Sequence, residues 1–309
     1  MRTRAILLLF AISLLWGSNW IFAPLLADVT EPYAAAALPT ALAALLLALL
    51  WVALRLVSGR RAVPVPHAAV PFRVTVRLGL VMLALPSCLI VLAGHHDLGG
   101  WEFLVYALLP LLVALADQNW TAPMVLAAGA VYVLFGSTLF FTPRRLAVAA
   151  VGLTAVALQS YGLRFAAKAL RGRGWTALTG SLALQLGMAA LLLAACSLLF
   201  DAKPSISPAD YWRTNAAISL FWFTLAGTAV PYLIFYFLLA QGRLAPVQVA
   251  VSQWIQVLFA VAESAYFMRA FPSWEMLAAV ATLVVCVWML LRRDRDSSPV
   301  SIVLRDTPL

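Results

Sequence analysis

Apolar residues run along this chain in long blocks, and polar residues fall in short clusters between them. A helix needs about 20 mostly apolar residues to cross a bilayer. By that measure the pattern predicts ten membrane-crossing helices, at 4–27, 33–57, 74–95, 99–118, 121–141, 145–168, 175–200, 214–239, 244–268 and 273–292. The separators are brief, such as "DVTEP", "HHDLGG", "TPRR", "LRGRG" and "QGRLAP", and only the basic loop near 58–73 is long. The expected fold class is an all-α integral membrane protein. The chain start, "MRTRAILLLFAISLLW", has the basic-then-apolar order of a signal peptide. The apolar run continues past a polar cluster to Leu26 without a small-x-small cleavage pattern, so it is expected to be kept as the first span. Residues 293–309 read as a polar cytoplasmic tail.

Composition agrees with this. Of 309 residues, 64% are hydrophobic and 11% charged, against about 25% charged in soluble domains. The net charge of +9 would suggest nucleic acid in a soluble protein. Here the basic residues lie between apolar runs, where they act as topology signals. With the N-terminus placed inside, 16 Lys and Arg fall on inner segments and five on outer ones, so both termini are expected in the cytoplasm. The expected location is a bacterial-type inner (plasma) membrane, crossed many times. Cys88, Cys196 and Cys286 sit in apolar runs without ligand spacing and read as small hydrophobes. His95 and His96, in "GHHDLGGWE", point to different sides as neighbours and read as part of a polar outer loop. No metal, cofactor or nucleic acid is expected.

Two short similarities recur in the same order. "LALPSCLIVLA" and "GTAVPYLIFYFLLA" share Pro86 and Pro231, 145 positions apart. "MVLAAGAVYVLFG" and "EMLAAVATLVVCV" share an LAA followed by a valine-rich run, 151 apart when Met124 is matched to Glu275. They suggest a five-helix unit used twice, over 1–142 and 143–292. Five is odd, so the second copy would enter the membrane from the opposite side. Such inverted repeats place a solute site near the midplane, between halves that rock against one another.

The chain resembles the drug/metabolite transporter superfamily, and within it the EamA-type ten-helix exporters. "LLWGSNWIFAP" looks like that family's opening helix, Pro32 follows the first outer loop, "VYALLPLL" with Pro110 resembles its fourth helix, and "APVQVAVSQWIQVL" its ninth. The chain departs from the family in lacking an arginine around Pro39 and an acid near Arg269. The resemblance implies export of small metabolites or amino-acid-like solutes.

Polar and aromatic residues at membrane depth are the candidate site. In the first helix, Trp16, Asn19 and Trp20 flank Gly17 and Ser18. Its partner by the repeat, "ALQSYGL", supplies Gln159 and Tyr161. Matched polar interruptions in corresponding helices are what an inverted-repeat site requires. Tyr106 and Tyr232 could stack on a planar or cationic solute. On helix nine, Gln248, Ser252, Gln256 and Glu263 fall within about 80° at 100° per residue, one polar stripe from which Gln253 points away. Glu263 is either a functional group, one that couples export to proton entry (which would make protons a partner) or binds a substrate amine, or a residue that lies at the water-filled outer mouth or pairs with Arg269. Gly17, Pro86, Pro110 and Pro231 are candidate hinges. Arg164 lies a turn from the inner end and is expected to snorkel.

Enzyme signatures such as HExxH, GxSxG and GxxxxGK[ST] are absent. With only Lys168 and Lys203 as lysines, both near span ends, carriage of phosphorylated solutes is disfavoured. The expected function is secondary transport by alternating access, exporting small neutral or zwitterionic metabolites. The alternative is a membrane scaffold with no transport of its own.

Overall fold

In a computed structural model, the described residues are 2–19, 22, 26, 30–59, 69–95, 101–118, 121–135, 143–202, 214–267 and 273–292. They are helical, with no strand among them. In chain order, α1 is Arg2–Gly17, α2 Pro32–Gly59, α4 Trp101–Ala116, α5 Ala122–Phe135, α6 Pro143–Ala169, α7 Trp175–Phe200 and α10 Trp274–Arg292. Three helices are broken. α3 joins Phe72–Leu78 to Leu85–His95 through a π-helical segment, Gly79–Ala84. α8 joins Thr214–Trp222 to Val230–Gln241 through a second one, Phe223–Ala229. α9 is Pro246–Ala250 followed by Ser252–Phe267. Six helices among the described residues are long and apolar enough to cross a membrane: α2, α3, α6, α7, α8 and α10. Their outward surfaces carry Leu45, Leu49, Leu191, Leu198, Phe221 and Trp288, all more than half exposed. In water such a surface would aggregate; facing lipid tails it needs no cover. This is a multi-pass membrane protein.

The π segments have a local cause. Each stops two residues short of a proline, Pro86 in α3 and Pro231 in α8. Proline has no N–H to give to the carbonyl four residues back, and its ring crowds that turn. A widened turn relieves the crowding. In α8 the stranded carbonyl is that of Gly227, and the indole of Trp16 donates to it from α1 at 3.1 Å.

Packing pairs the helices in a regular way. α2 lies along α7, and α5 along α10. α1 packs on α8 and α9, and α6 on α3 and α4. α2 and α7 run antiparallel. Asp201, at the end of α7, accepts from the first free amides of α2, Ala34 at 3.0 Å and Tyr33 at 3.4 Å. Further along, Gly180 near the start of α7 sits under Trp51, so close that a Cβ there would lie 2.6 Å from the indole nitrogen. Asp201 thereby caps the N-terminus of α2, where the helix dipole favours negative charge.

One end of the bundle gathers the basic residues. There Arg2 donates to the Leu291 carbonyl at 2.8 Å, Gly172 N–H to the Ala240 carbonyl at 2.9 Å, and Arg164 pairs with Asp117 at 2.6 Å. Arg164 therefore does more than snorkel: it joins α6 to the turn after α4. The tail at 293–309 and the loop residue His96 lie outside the described residues, as does the side chain of His95.

Candidate functional site: a cavity walled by eight helices

A cavity of about 520 Å³ occupies the middle of the bundle and extends toward the end where α2 begins. Small-molecule sites span about 300–1,000 Å³. Helices α1, α2, α3, α4, α6, α7, α8 and α9 contribute walls, while among the described residues none comes from α5 or α10. The opposite end is packed shut by the fully buried Leu9, Ile12, Leu78 and Tyr236.

Trp16, Asn19, Tyr106, Gln159, Tyr232 and Gln256 are brought together around this cavity. Trp16 meets Tyr232 edge-on, ring centres 5.4 Å apart, and Phe235 at 5.6 Å. These three rings form one aromatic face. Asn19 reaches the wall of α8, where its Oδ1 would sit 2.8 Å from a Cβ at Gly227, so that glycine leaves the amide room. Gly17 lets α1 close on α9: a Cβ there would lie 2.8 Å from that of Phe259.

The amides are the chemical feature of the wall. Asn19 Oδ1, Gln159 Oε1 and Gln253 Oε1 are buried and have no hydrogen-bond partner among the described residues. Buried polar atoms are ordinarily paired, and each orphan costs about 1–3 kcal/mol. The three belong to residues of the cavity wall, each oxygen itself covered by neighbouring atoms.

Several predicted residues lie elsewhere. Tyr161 is 41% exposed and faces outward, stacked near Phe165 and under Arg77. Gln248 is consumed by structure: its Oε1 accepts from Ala245 N–H at 3.0 Å and its Nε2 donates to the Leu290 carbonyl at 2.8 Å. It closes the start of α9, as a glutamine at the third helical position can, and ties it to α10. Ser252 is buried at the break in α9 and is not on the cavity wall. Glu263 is half-buried beyond the cavity, with Oε2 buried and unpartnered among the described residues. Trp20 and Arg269 lie outside the described residues.

Gln253 reverses its expected place. The predicted stripe assumed one continuous helix, with Gln248 and Gln256 on one face. Gln253 and Gln256, about 60° apart on a regular helix, line the cavity, and Gln248 does not. A proline followed by valines at alternate positions, Pro246, Val247, Val249 and Val251, was the available signal of a weak helix start.

Of the candidate hinges, Pro86 and Pro231 follow the π segments, Pro110 lies inside α4, and Gly17 ends α1 against α9. A fourth proline, Pro39 inside α2, joins them. The residues four positions before these prolines, Ala35, Met82, Tyr106 and Gly227, all line the cavity. The wall is therefore built where four helices each lose an ordinary ladder bond.

No protein-family model matches the chain, and no curated protein matches it. A solved structure described only as "Crystal structure of protein" is similar in fold, with a TM-score of 0.71 and 16% sequence identity. The similarity covers 95% of this chain and all of that one, so the arrangement of helices is one already known from a solved protein.

Proposed function

We propose that this chain is a secondary transporter working by alternating access, with ten membrane crossings in two inverted five-helix units and both termini in the cytoplasm. On this reading it belongs to the drug/metabolite transporter superfamily, as an EamA-type exporter of small neutral or zwitterionic metabolites in a bacterial-type inner membrane. The observation that carries the reading is the cavity: central, walled by both halves, and lined by amide side chains that have no hydrogen-bond partner among the described residues. A scaffold would have those groups paired between helices.

The packing supports two inverted units. Helices pair as corresponding members would across a two-fold axis: second on seventh, fifth on tenth, first on eighth and ninth, sixth on third and fourth. The second and seventh run antiparallel, as inversion requires. The π segments fall at matching places, and Pro86 and Pro231 lie 145 positions apart. Because α1 and α6 each pack in the other half, rocking of the halves would carry Asn19 and Gln159 relative to the walls they face. The basic end of the bundle is the cytoplasmic one by the charge rule.

Counterflow in proteoliposomes, screened over amino acids and related metabolites, tests transport directly. Robust exchange of at least one solute is expected. Exchange of none, with the protein correctly folded, would return the reading to a scaffold. Glu263 is the proposed proton-coupling group. Its test is Glu263→Gln, and retained pH-driven transport with an unchanged pH profile would remove it from that role.

A further inference from the structure

We propose that α3 and α6, at the basic end of the bundle, form a binding site for an anionic phospholipid. Its phosphate sits among Arg73, Arg77 and Lys168, and an acyl chain runs over Leu80 and Ala157. The site lies on the lipid-facing surface and stands whether or not the central cavity carries a solute.

The two helices run antiparallel and touch closely. Gly162 of α6 packs so tightly on α3 that a Cβ there would lie 2.6 Å from Met82 Cγ. The turn after α6 meets the approach to α3, where Arg173 reaches the Ala69 carbonyl at 3.5 Å. Between these two contacts the Arg77 guanidinium crosses to α6. It lies over two rings there, 4.7 Å from the centre of Phe165 and 5.2 Å from that of Tyr161. At 100° per residue, Arg73, Arg77 and Leu80 fall within about 60° on α3. Tyr161, Phe165 and Lys168 share the same spacing and the same arc on α6. Arg73 is one turn nearer the start of α3 than Arg77, and Lys168 is in the last turn of α6. The antiparallel register therefore gathers the three cations at one rim, with the two rings behind them.

This rim lacks an anion. Arg73, Arg77 and Lys168 are exposed, and none has a carboxylate partner among the described residues. Asp117, an acid at the same end, is occupied by Arg164 at 2.6 Å. Cations gathered at a membrane surface repel one another, and the anion a membrane supplies there is a lipid phosphate. The guanidinium fork matches phosphate oxygens, and Arg77 is already held by its two rings, so less freedom is lost on binding. Toward the middle of the bundle both stripes turn apolar, with Leu80 39% exposed and Ala157 exposed beside it on α6. Cations followed by apolar surface is the order of a phospholipid, and a free phosphate would use only the first part. Two other arginines lie over rings, Arg55 on Trp51 and Arg292 on Trp288. Each of those pairs belongs to one helix, four positions apart, as an arginine stem lying along its own helix gives. Arg77 instead bridges two helices.

The test uses the full chain purified in detergent micelles. It is titrated with phosphatidylglycerol or phosphatidylcholine of identical acyl chains, and bound lipid is counted by native mass spectrometry. Phosphatidylglycerol is expected to bind at least about tenfold more tightly. The double variant Arg73→Gln, Arg77→Gln is expected to lose that preference while melting at the parent temperature in phosphatidylcholine. Lys168→Gln, a single change at an exposed position, is expected to reduce the preference about threefold, and it carries the test if the double variant is unstable. Arg292→Gln is expected to keep the preference, and millimolar inorganic phosphate to leave the bound lipid in place. Equal binding of the two lipids by the parent protein overturns the proposal, as does a full preference in the double variant or in Lys168→Gln. An equal loss in Arg292→Gln would mark a general attraction to the basic end and overturns it too. Displacement of the lipid by inorganic phosphate would make this a site for the free anion, and the lipid proposal would fall.

Discussion

Two groups of polar side chains lie deep among these helices, and they are finished differently. In the first, Thr75 meets Ser181 at 3.0 Å, Gln185 donates to Ser181 at 2.9 Å, and Tyr236 donates to Gln185 at 2.5 Å. That chain ties α3, α7 and α8 together, and all four residues are buried. In the second, Asn19, Gln159 and Gln253 stand around a cavity with their oxygens unpartnered among the described residues. Residue type does not distinguish the groups, since both contain glutamine at membrane depth. Only the first is closed on itself. A closed network holds helices together; buried oxygens left unpaired cost stability.

Substitutions at matched positions should separate mortar from site. The largest expected loss of stability is at Gln185→Ala, which strands the Tyr236 hydroxyl and opens a gap in the packing. It should destabilise by about 1–3 kcal/mol, read as a lowered melting temperature in detergent. A melting temperature equal to the parent would mean the network is not holding the bundle.

Next comes Gln248→Leu, which deletes two structural bonds at the start of α9. A loss of about 1 kcal/mol is expected, with binding at the cavity kept. If solute affinity falls while the fold is untouched, Gln248 belongs to the site after all.

At Gln253→Leu the prediction changes sign. Removing an orphaned amide oxygen should leave the melting temperature unchanged or slightly raised, since no pair is broken. Counterflow of the best solute should fall by about tenfold, the equivalent of one lost hydrogen bond of about 1.4 kcal/mol. A destabilised Gln253→Leu protein would place that residue with the mortar.

The smallest effect is expected at Tyr161→Phe. The ring stays stacked near Phe165 and the hydroxyl faces outward, so stability should move within about 0.5 kcal/mol and transport not at all. Lost counterflow in this variant would put α6 in a different rotation from the one described.

Much of this was legible without coordinates. Apolar block length gave the membrane class, because every backbone group in lipid must be bonded within a helix. Pro86 and Pro231 marked the breaks in α3 and α8, because a proline withholds its N–H wherever it sits. Trp16, Asn19, Tyr106, Gln159 and Tyr232 could be singled out because polar and aromatic residues at membrane depth are costly and few.

The tertiary structure decided which of those polar residues were already spoken for. Nothing in the letters separates Gln185 and Gln248, whose partners are the Tyr236 hydroxyl and the Leu290 carbonyl, from Gln159 and Gln253, which have none among the described residues. Partners 51 and 42 positions away are set by helix packing, not by local sequence. It likewise decided which edge of α9 faces the cavity, Gln253 and Gln256 rather than Gln248, and the rotation of α6, which turned Tyr161 outward. Periodicity tells which residues share a face of a helix, not which face the packing turns toward the cavity, and this protein builds its cavity where four helices carry a proline.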